Sequence, residues 1–314
     1  MTECRGPFGY VASVLGVVQN EVPRFSDTIE QVIGVLYEAE WDGEDEGYNR
    51  RSDEVQNLVQ AIIGPEGVHM RRWKSFKFSP LGDWEIISEN TWNPFKYPTP
   101  NLEAFILDGG LWRSDYDLFE GTFPDLSAVR HLTFRDPYGL GSIPTIPSPP
   151  HLLTADIDLH QEEDKLDIIS DCRTLQELTI SRIYGPLTQS PTARKRELKL
   201  PTLRKLTLQG DVSALKHITF RTPCLESLKL LCGCKEAIPE VQARSVVWVA
   251  LGRDPDLILE MVRRLVVGIK EMEELVIKCK EAEKLSLAIH GIITQADAAI
   301  VDILRVVRFE EGEE

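Results

Sequence analysis

The spacing apolar-x-x-apolar-x-apolar returns along this chain, and it leaves few folds open. It occurs at Trp73-Phe76-Phe78, Leu102-Phe105-Leu107, Val129-Leu132-Phe134, Leu175-Leu178-Ile180, Leu203-Leu206-Leu208, Leu225-Leu228-Leu230 and Met272-Leu275-Ile277. A degenerate copy reads Thr154-Ile157-Leu159. From Trp73 to Leu225 the starts lie 29, 27, 25, 21, 28 and 22 residues apart. The last two apolar positions of each copy are two apart, so they share one face of a strand. A strand this short cannot bury them alone. Parallel neighbours, about 4.8 Å apart, make one continuous apolar layer, and the intervening residues return across the other side.

That period falls in or at the edge of the window of about 20–29 residues for leucine-rich repeats. The expected fold is α/β: a leucine-rich-repeat solenoid with parallel strands on its concave face. Residues 1–68 are read as a helical N-terminal cap with an acidic loop, 69–235 as the repeats, and 236–314 as irregular C-terminal repeats and a cap. In the first segment, Asp27 to Glu30 has capping-box spacing, and Ile29, Val32, Ile33, Leu36 and Tyr37 form a helical stripe over Thr28 to Tyr37. A second stripe, Val55, Leu58, Val59, Ile62 and Ile63, is stopped by Gly64-Pro65. Between them, Glu38 to Glu46 carries six carboxylates and no Lys or Arg, which predicts a solvated loop.

Among the return segments, Asp164 to Cys172 predicts a helix with Leu166, Ile169 and Cys172 inward. The crossing from Asp136 to His151 holds five prolines and cannot be helical. Val246 to Leu251 predicts a buried strand. Asp254-Pro255 then opens a helix with Ile258, Met261, Val262 and Leu265 on one face. Leu285, Leu287 and Ile289 follow the strand at Leu275 too soon for a full repeat, a last helix opens at Thr294, and Val307 and Phe309 end it as a strand.

Composition excludes more than it assigns. With 35 Lys and Arg against 50 Asp and Glu, the chain carries a net charge of −15, which opposes binding to phosphate backbones. No nucleic-acid partner is expected. No apolar run reaches the roughly 18 residues needed to span a bilayer, so no membrane partner is expected either. The nine-residue, largely apolar stretch from Tyr10 to Val18 predicts a core strand rather than a leader. The six cysteines, Cys4, Cys172, Cys224, Cys232, Cys234 and Cys279, form no C-x-x-C pair, and reduced thiols in a cytoplasmic or nuclear protein are the expectation. The phosphate-loop, dinucleotide, zinc-protease and serine-hydrolase motifs are all missing. No cofactor, catalytic residue or metal site is expected.

The positions flanking the apolar pairs predict a binding face. It is formed by Lys77, His131, Arg135, Asp156, Asp158, His160, Glu177, Lys205 and Lys229, in a basic, acidic, basic order along the sequence. Alternation puts Asp156, Asp158 and His160 together away from Ile157 and Leu159, and two carboxylates with an imidazole could hold a divalent ion. An exposed repeat face explains the same three residues without a metal. The run Arg194-Lys195-Arg196, with Lys199 nearby, reads as a solvated loop, with nuclear import as its functional alternative. Trp41, Trp84, Trp92 and Trp112 fall between elements, where each either packs over a repeat or anchors a partner.

The segment from His69 to Phe78 resembles the R-W-x-x-L-x-L stretch that opens the repeats of fungal (basidiomycete) F-box-like proteins. Pro100 to Leu107, Leu200 to Leu208 and Thr222 to Leu230 resemble the P-x-L-e-x-L-x-L repeat of the same family, and the likeness covers roughly residues 55 to 235. The resemblance implies a non-catalytic, protein-binding role: target recognition in an adaptor of SCF-type ubiquitin ligases. No Leu-Pro-led F-box segment is seen between Met1 and Val68. A Skp-type adaptor is therefore expected as a partner only if an F-box lies outside this chain. The alternatives are a free-standing scaffold or interaction protein with no ubiquitin link, and a metal-dependent enzyme using Asp156, Asp158 and His160.

Overall fold

The computed structural model describes residues 30–33, 57, 59–78, 93–108, 123–135, 149–160, 166–170, 172–183, 196–233, 239, 241–250, 255–270, 272–279 and 306–311. The chain is α/β, built mostly of parallel strands with few helices. It divides into two compact units, Met1–Pro149 and Pro150–Glu314.

In the first unit, β1 (Glu30–Ile33), β2 (Ser75–Phe78), β3 (Ala104–Asp108) and β4 (His131–Arg135) pair in that order, all parallel. The core here is aromatic. Phe76 of β2 and Phe105 of β3 stack with ring centroids 5.6 Å apart. Phe95 and Phe123, from the return segments, close on Phe76 at 5.4 and 4.8 Å. Trp73 stacks on Phe76 at 5.8 Å. Each such pair adds about 0.5–1.5 kcal/mol beyond the area buried.

β1 corrects the helix expected over Thr28 to Tyr37: Glu30–Ile33 is extended and pairs with Ser75–Phe78. The stripe there is rich in β-branched residues, and the edge of β2 offers a row of backbone groups that only a strand can satisfy. The second expected helix is present at 57 and 59–63, with Val59, Ile62 and Ile63 buried. It ends at Gly64, whose φ of 72° and contact with the His69 ring leave no room for a Cβ.

In the second unit, β5 (Thr154–His160), β6 (Glu177–Ile183), β8 (Lys205–Gly210), β10 (Ser227–Cys232), β12 (Ser245–Ala250), β14 (Glu274–Cys279) and β15 (Val306–Glu311) pair in that order, again parallel. Leu178, Leu206, Leu228, Val246 and Leu275 form one buried row, and Ile180, Leu208, Leu230, Trp248 and Ile277 form the next. The row also corrects the frame of the degenerate copy. Ala155 is registered with Leu178 and Ile157 with Ile180, so the triplet is Leu152-Ala155-Ile157, all buried.

The same pair of backbone hydrogen bonds recurs at the entries of β3, β4, β6, β8, β10 and β14. The carbonyl just after the first apolar position accepts two N–H groups from the next repeat. Lys74 O takes those of Glu103 and Ala104, Gln176 O those of Arg204 and Lys205, and Arg204 O those of Glu226 and Ser227, at 2.7–3.0 Å.

The return segments differ from expectation in part. Among the described residues helix α1 is Asp167–Ser170, with Leu166, Ile169 and Cys172 buried as the stripe predicts. The helix after Pro255 forms as α2 (Pro255–Gly268), with Ile258, Met261, Val262 and Leu265 buried. Other returns are short strands instead. β7 (Arg196–Lys199) pairs with β9 (Ile218–Arg221), and β11 (Val241–Gln242) with β13 (Ile269–Lys270), both parallel. Arg196, expected in a solvated loop, therefore starts a strand, and its guanidinium pairs with Asp167. The acidic stretch 38–46, the four loop tryptophans, the core strand expected at Tyr10 to Val18, most of the proline-rich crossing, and residues 285–304 lie outside the described residues.

Two predictions follow from local geometry. Gly210 has φ of 115°, and a Cβ there would lie 2.5 Å from the Ile183 carbonyl oxygen, which accepts the Asp211 N–H. Gly210→Ala should cost about 2 kcal/mol or more in denaturant unfolding, whereas Gly233→Ala, with nothing within 4 Å of its Cβ, should stay within about 0.5 kcal/mol. In the first unit, Asp125 Oδ1 accepts from the Ser127 hydroxyl (2.6 Å) and N–H (3.0 Å). These bonds hold the Asp125 carboxyl below the usual carboxylate range. The folded carboxyl thus ionises more readily than the unfolded one. Its stabilisation is present above the ordinary carboxylate range and is lost as pH falls through the depressed value. Asp125→Asn should lower stability at neutral pH and leave it unchanged at the acid end, read by unfolding curves across pH.

Candidate functional site

Alternation along each parallel strand turns one set of side chains into the core and leaves the other on the open face of its sheet. In the first unit, three expected site residues occupy that open set but do not gather. Lys77 shares a row with Ile106 and Thr133, His131 with Ser75 and Ala104, and Arg135 is registered with Asp108. His131 and Arg135 are exposed and Lys77 is half-buried.

In the second unit, Glu177 and Lys205 are register partners on adjacent strands, and Lys205 Nζ lies 2.7 Å from Glu177 Oε1. Both remain more than half exposed, so the pair contributes little to stability. It does cancel the negative charge expected of Glu177. Lys229 is exposed in the row Asp156–Thr179–Thr207–Lys229, three strands away from Asp156. His160 is registered with Ile183 at the end of β5, and its side chain lies outside the described residues.

Asp158 departs from the exposed position expected for it. Its side chain is only 1% exposed. Oδ1 accepts from the Ser181 hydroxyl at 2.6 Å, and Oδ2 lies 3.5 Å from Arg182 Nε. The cause is an irregularity in β6. Its register against β8 shifts between Ile180 and Ile183, and Arg182 has φ of 47°. An added residue bends the strand and re-aims a side chain, here bringing Arg182 to the carboxylate. Asp156 Oδ1 stands 3.3 Å from the same hydroxyl, so one serine bridges both carboxylates. The acidic band is therefore absorbed into the structure at Asp158 and neutralised at Glu177. Among the described residues, no three His, Cys, Asp or Glu side chains group as metal ligands. No described helix is long and apolar enough to cross a membrane. Cys172 and Cys232 are buried and Cys224 is exposed.

One feature of the open face was not singled out from the sequence. On β10, β12 and β14, Leu231, Val247, Val249 and Val276 occupy the open set, opposite the buried rows. The first three are half-buried and Val276 is 7% exposed. Their row-mates are charged. Lys229, Val247, Val276 and Arg308 form one row, and Leu231, Val249, Lys278 and Glu310 the next. The signal was legible in the run Ser245-Val246-Val247-Trp248-Val249-Ala250, which is apolar at both parities.

No protein-family model matches the chain, and neither a curated protein nor a solved structure matches it.

Removing the Asp158 carboxylate takes away the shorter acceptor of the Ser181 hydroxyl, leaving its 3.3 Å contact with Asp156, and the carboxylate beside Arg182. Asp158→Ala should cost about 2–4 kcal/mol, and Glu177→Ala should stay within about 0.5 kcal/mol. Equal losses by denaturant unfolding would refute the assignment of Asp158 to the framework.

Proposed function

We propose that this chain is a non-catalytic leucine-rich-repeat solenoid that binds another protein on the open face of its parallel strands. By its resemblance to fungal F-box-like proteins, it would serve as the target-recognition part of a ubiquitin-ligase adaptor. The observation that carries the reading is the recurrence of one entry geometry. The same carbonyl position takes two N–H groups at successive repeats in each unit. A face held in register in this way presents its outward side chains as a regular array, and it can change their identity without disturbing the buried rows.

The chemistry of the face favours recognition over catalysis. The carboxylate best placed for catalysis, Asp158, is engaged by Ser181 and Arg182. Exposed charges such as Lys205, Glu177 and Lys229 stand on rigid strands, where they set on-rate and specificity. A Skp-type adaptor would need an F-box segment in addition. The apolar face of the helix at 59–63 is already buried within this chain and is not available to dock one.

The experiment is affinity capture of the tagged chain from its native cell, followed by kinetics with the captured partner. Glu177→Lys leaves two cations side by side with Lys205 and should change the association rate about threefold or more at low salt, with melting unchanged. Unchanged kinetics would move the contact off this part of the face. In a parallel gel filtration, the chain should not co-elute with a Skp-type adaptor unless an F-box segment is joined to it. Stable co-elution would place an adaptor-binding element inside these residues.

A further inference from the structure

The open face is polar on β5, β6 and β8 and changes character on β10, β12 and β14. A parallel sheet whose strands are apolar on both faces is normally covered on both. Here the outward apolar group is Leu231, Val247, Val249 and Val276, and it has a charged border. Lys229 stands beside Val247 in the row and is exposed, with no ion pair among the described residues. At the other end of that row, Arg308 is 63% exposed and reaches Glu274 only at 3.8 Å. Glu310, two residues along β15, pairs with Lys278 at 3.0 Å. A chain of net charge −15 thus keeps two under-neutralised cations bracketing two valines.

We propose that this patch is the docking site for an extended acidic segment of a partner protein. The segment would lie across the strands with an apolar side chain over Val247, beside the buried Val276, and a carboxylate at each end. The row spans three strand spacings, about 14 Å between Lys229 and Arg308. An extended peptide covers that distance in about four residues, and side chains two and four positions apart share one face. The fitting sequence is acid-x-apolar-x-acid. Burial of the apolar side chain supplies affinity, and the flanking cations select against a basic segment. The inference rests on the protein-binding reading above and names where on the face the partner sits and what it carries.

The test uses the full chain with labelled valine methyl groups. The probe is a short peptide centred on glutamate-serine-leucine-serine-glutamate. On titration it should shift the methyl resonances of Val247, Val249 and Val276. The same peptide with lysines in place of the glutamates should leave them in place. Lys229→Glu should weaken the acidic peptide about fivefold or more, and Val247→Thr, which keeps the β-branched shape, should weaken it comparably while leaving the rest of the spectrum unmoved. Equal response to both peptides, or shifts confined to other valines, would overturn the proposal. Concentration-dependent self-association abolished by Val247→Thr would also overturn it, by giving the patch to a second copy. The peptide titration needs no captured partner. If a captured partner bound Lys229→Glu and Val247→Thr chains undiminished, the patch would be refuted while the protein-binding reading stood.

Discussion

Strand entry at β3, β4, β6, β8, β10 and β14 depends on a single acceptor. The carbonyl after the first apolar position receives two N–H groups from the following repeat, as Glu103 O does from Arg130 and His131 and Arg244 O from Glu273 and Glu274. A carbonyl has two lone pairs, so one acceptor satisfies two donors at the point where a loop becomes a strand. The arrangement also sets register, because a slip of one residue would turn every buried side chain outward. Side chains reinforce it at the preceding position. Asn101, Thr174 and Thr202 donate to the carbonyls of Arg71, Pro150 and Arg173, each two residues before the first apolar position of the earlier repeat. The short polar residue before the leucine in the repeat has that work to do, and a larger apolar residue could not do it.

This dependence explains which parts of the fold were legible. The spacing of Leu203, Leu206 and Leu208 encodes both a turn and a strand, so β8 and its counterparts could be read directly. β1 could not, because Ile29, Val32 and Ile33 satisfy a helical stripe as well as a strand. What decided between them was the edge of β2, more than forty residues away. The frame of β5 is hidden in the sequence for a related reason. Thr154, Ile157 and Leu159 fit the pattern, but the alternative triplet contains Ala155, whose small side chain hides an inward position. The strands β7, β9, β11 and β13 carried too few residues for a period to show. Their pairing comes from stacking one return on the next rather than from local propensity.

The face was only partly legible, because sequence gives the parity of a side chain and not its environment. Parity placed Glu177, Lys205 and Lys229 correctly on the outward set. It could not reveal that Glu177 and Lys205 neutralise each other across β6 and β8, since that requires knowing which strands are neighbours. Nor could it reveal the fate of Asp158. An outward residue becomes framework when the adjacent strand bulges and brings Arg182 to it, and the bulge in turn needs the bare backbone of Gly210 beside Ile183.

Stability therefore falls on one parity of the strands and, on the protein-binding reading proposed above, recognition on the other, and the exceptions are the informative positions. A polar residue drawn into the framework, as at Asp158 and Ser181, makes that part of the face rigid and unavailable. An apolar residue left on the outward parity, as at Val247 and Val249, does the opposite. It adds nothing to the buried rows and gives up favourable burial as long as water covers it, at about 25 cal/mol per Å². Strand preference alone does not account for the placement, because threonine is also β-branched and would fit the same pleat. The outward valines on β12 sit between Lys229 and the Arg308–Glu274 contact, where apolar surface is rimmed by charge. An apolar centre with a polar rim is the anatomy of a protein contact. On the polar strands β5, β6 and β8, by contrast, the outward positions Thr179, Thr207 and Gln209 ask for no such cover.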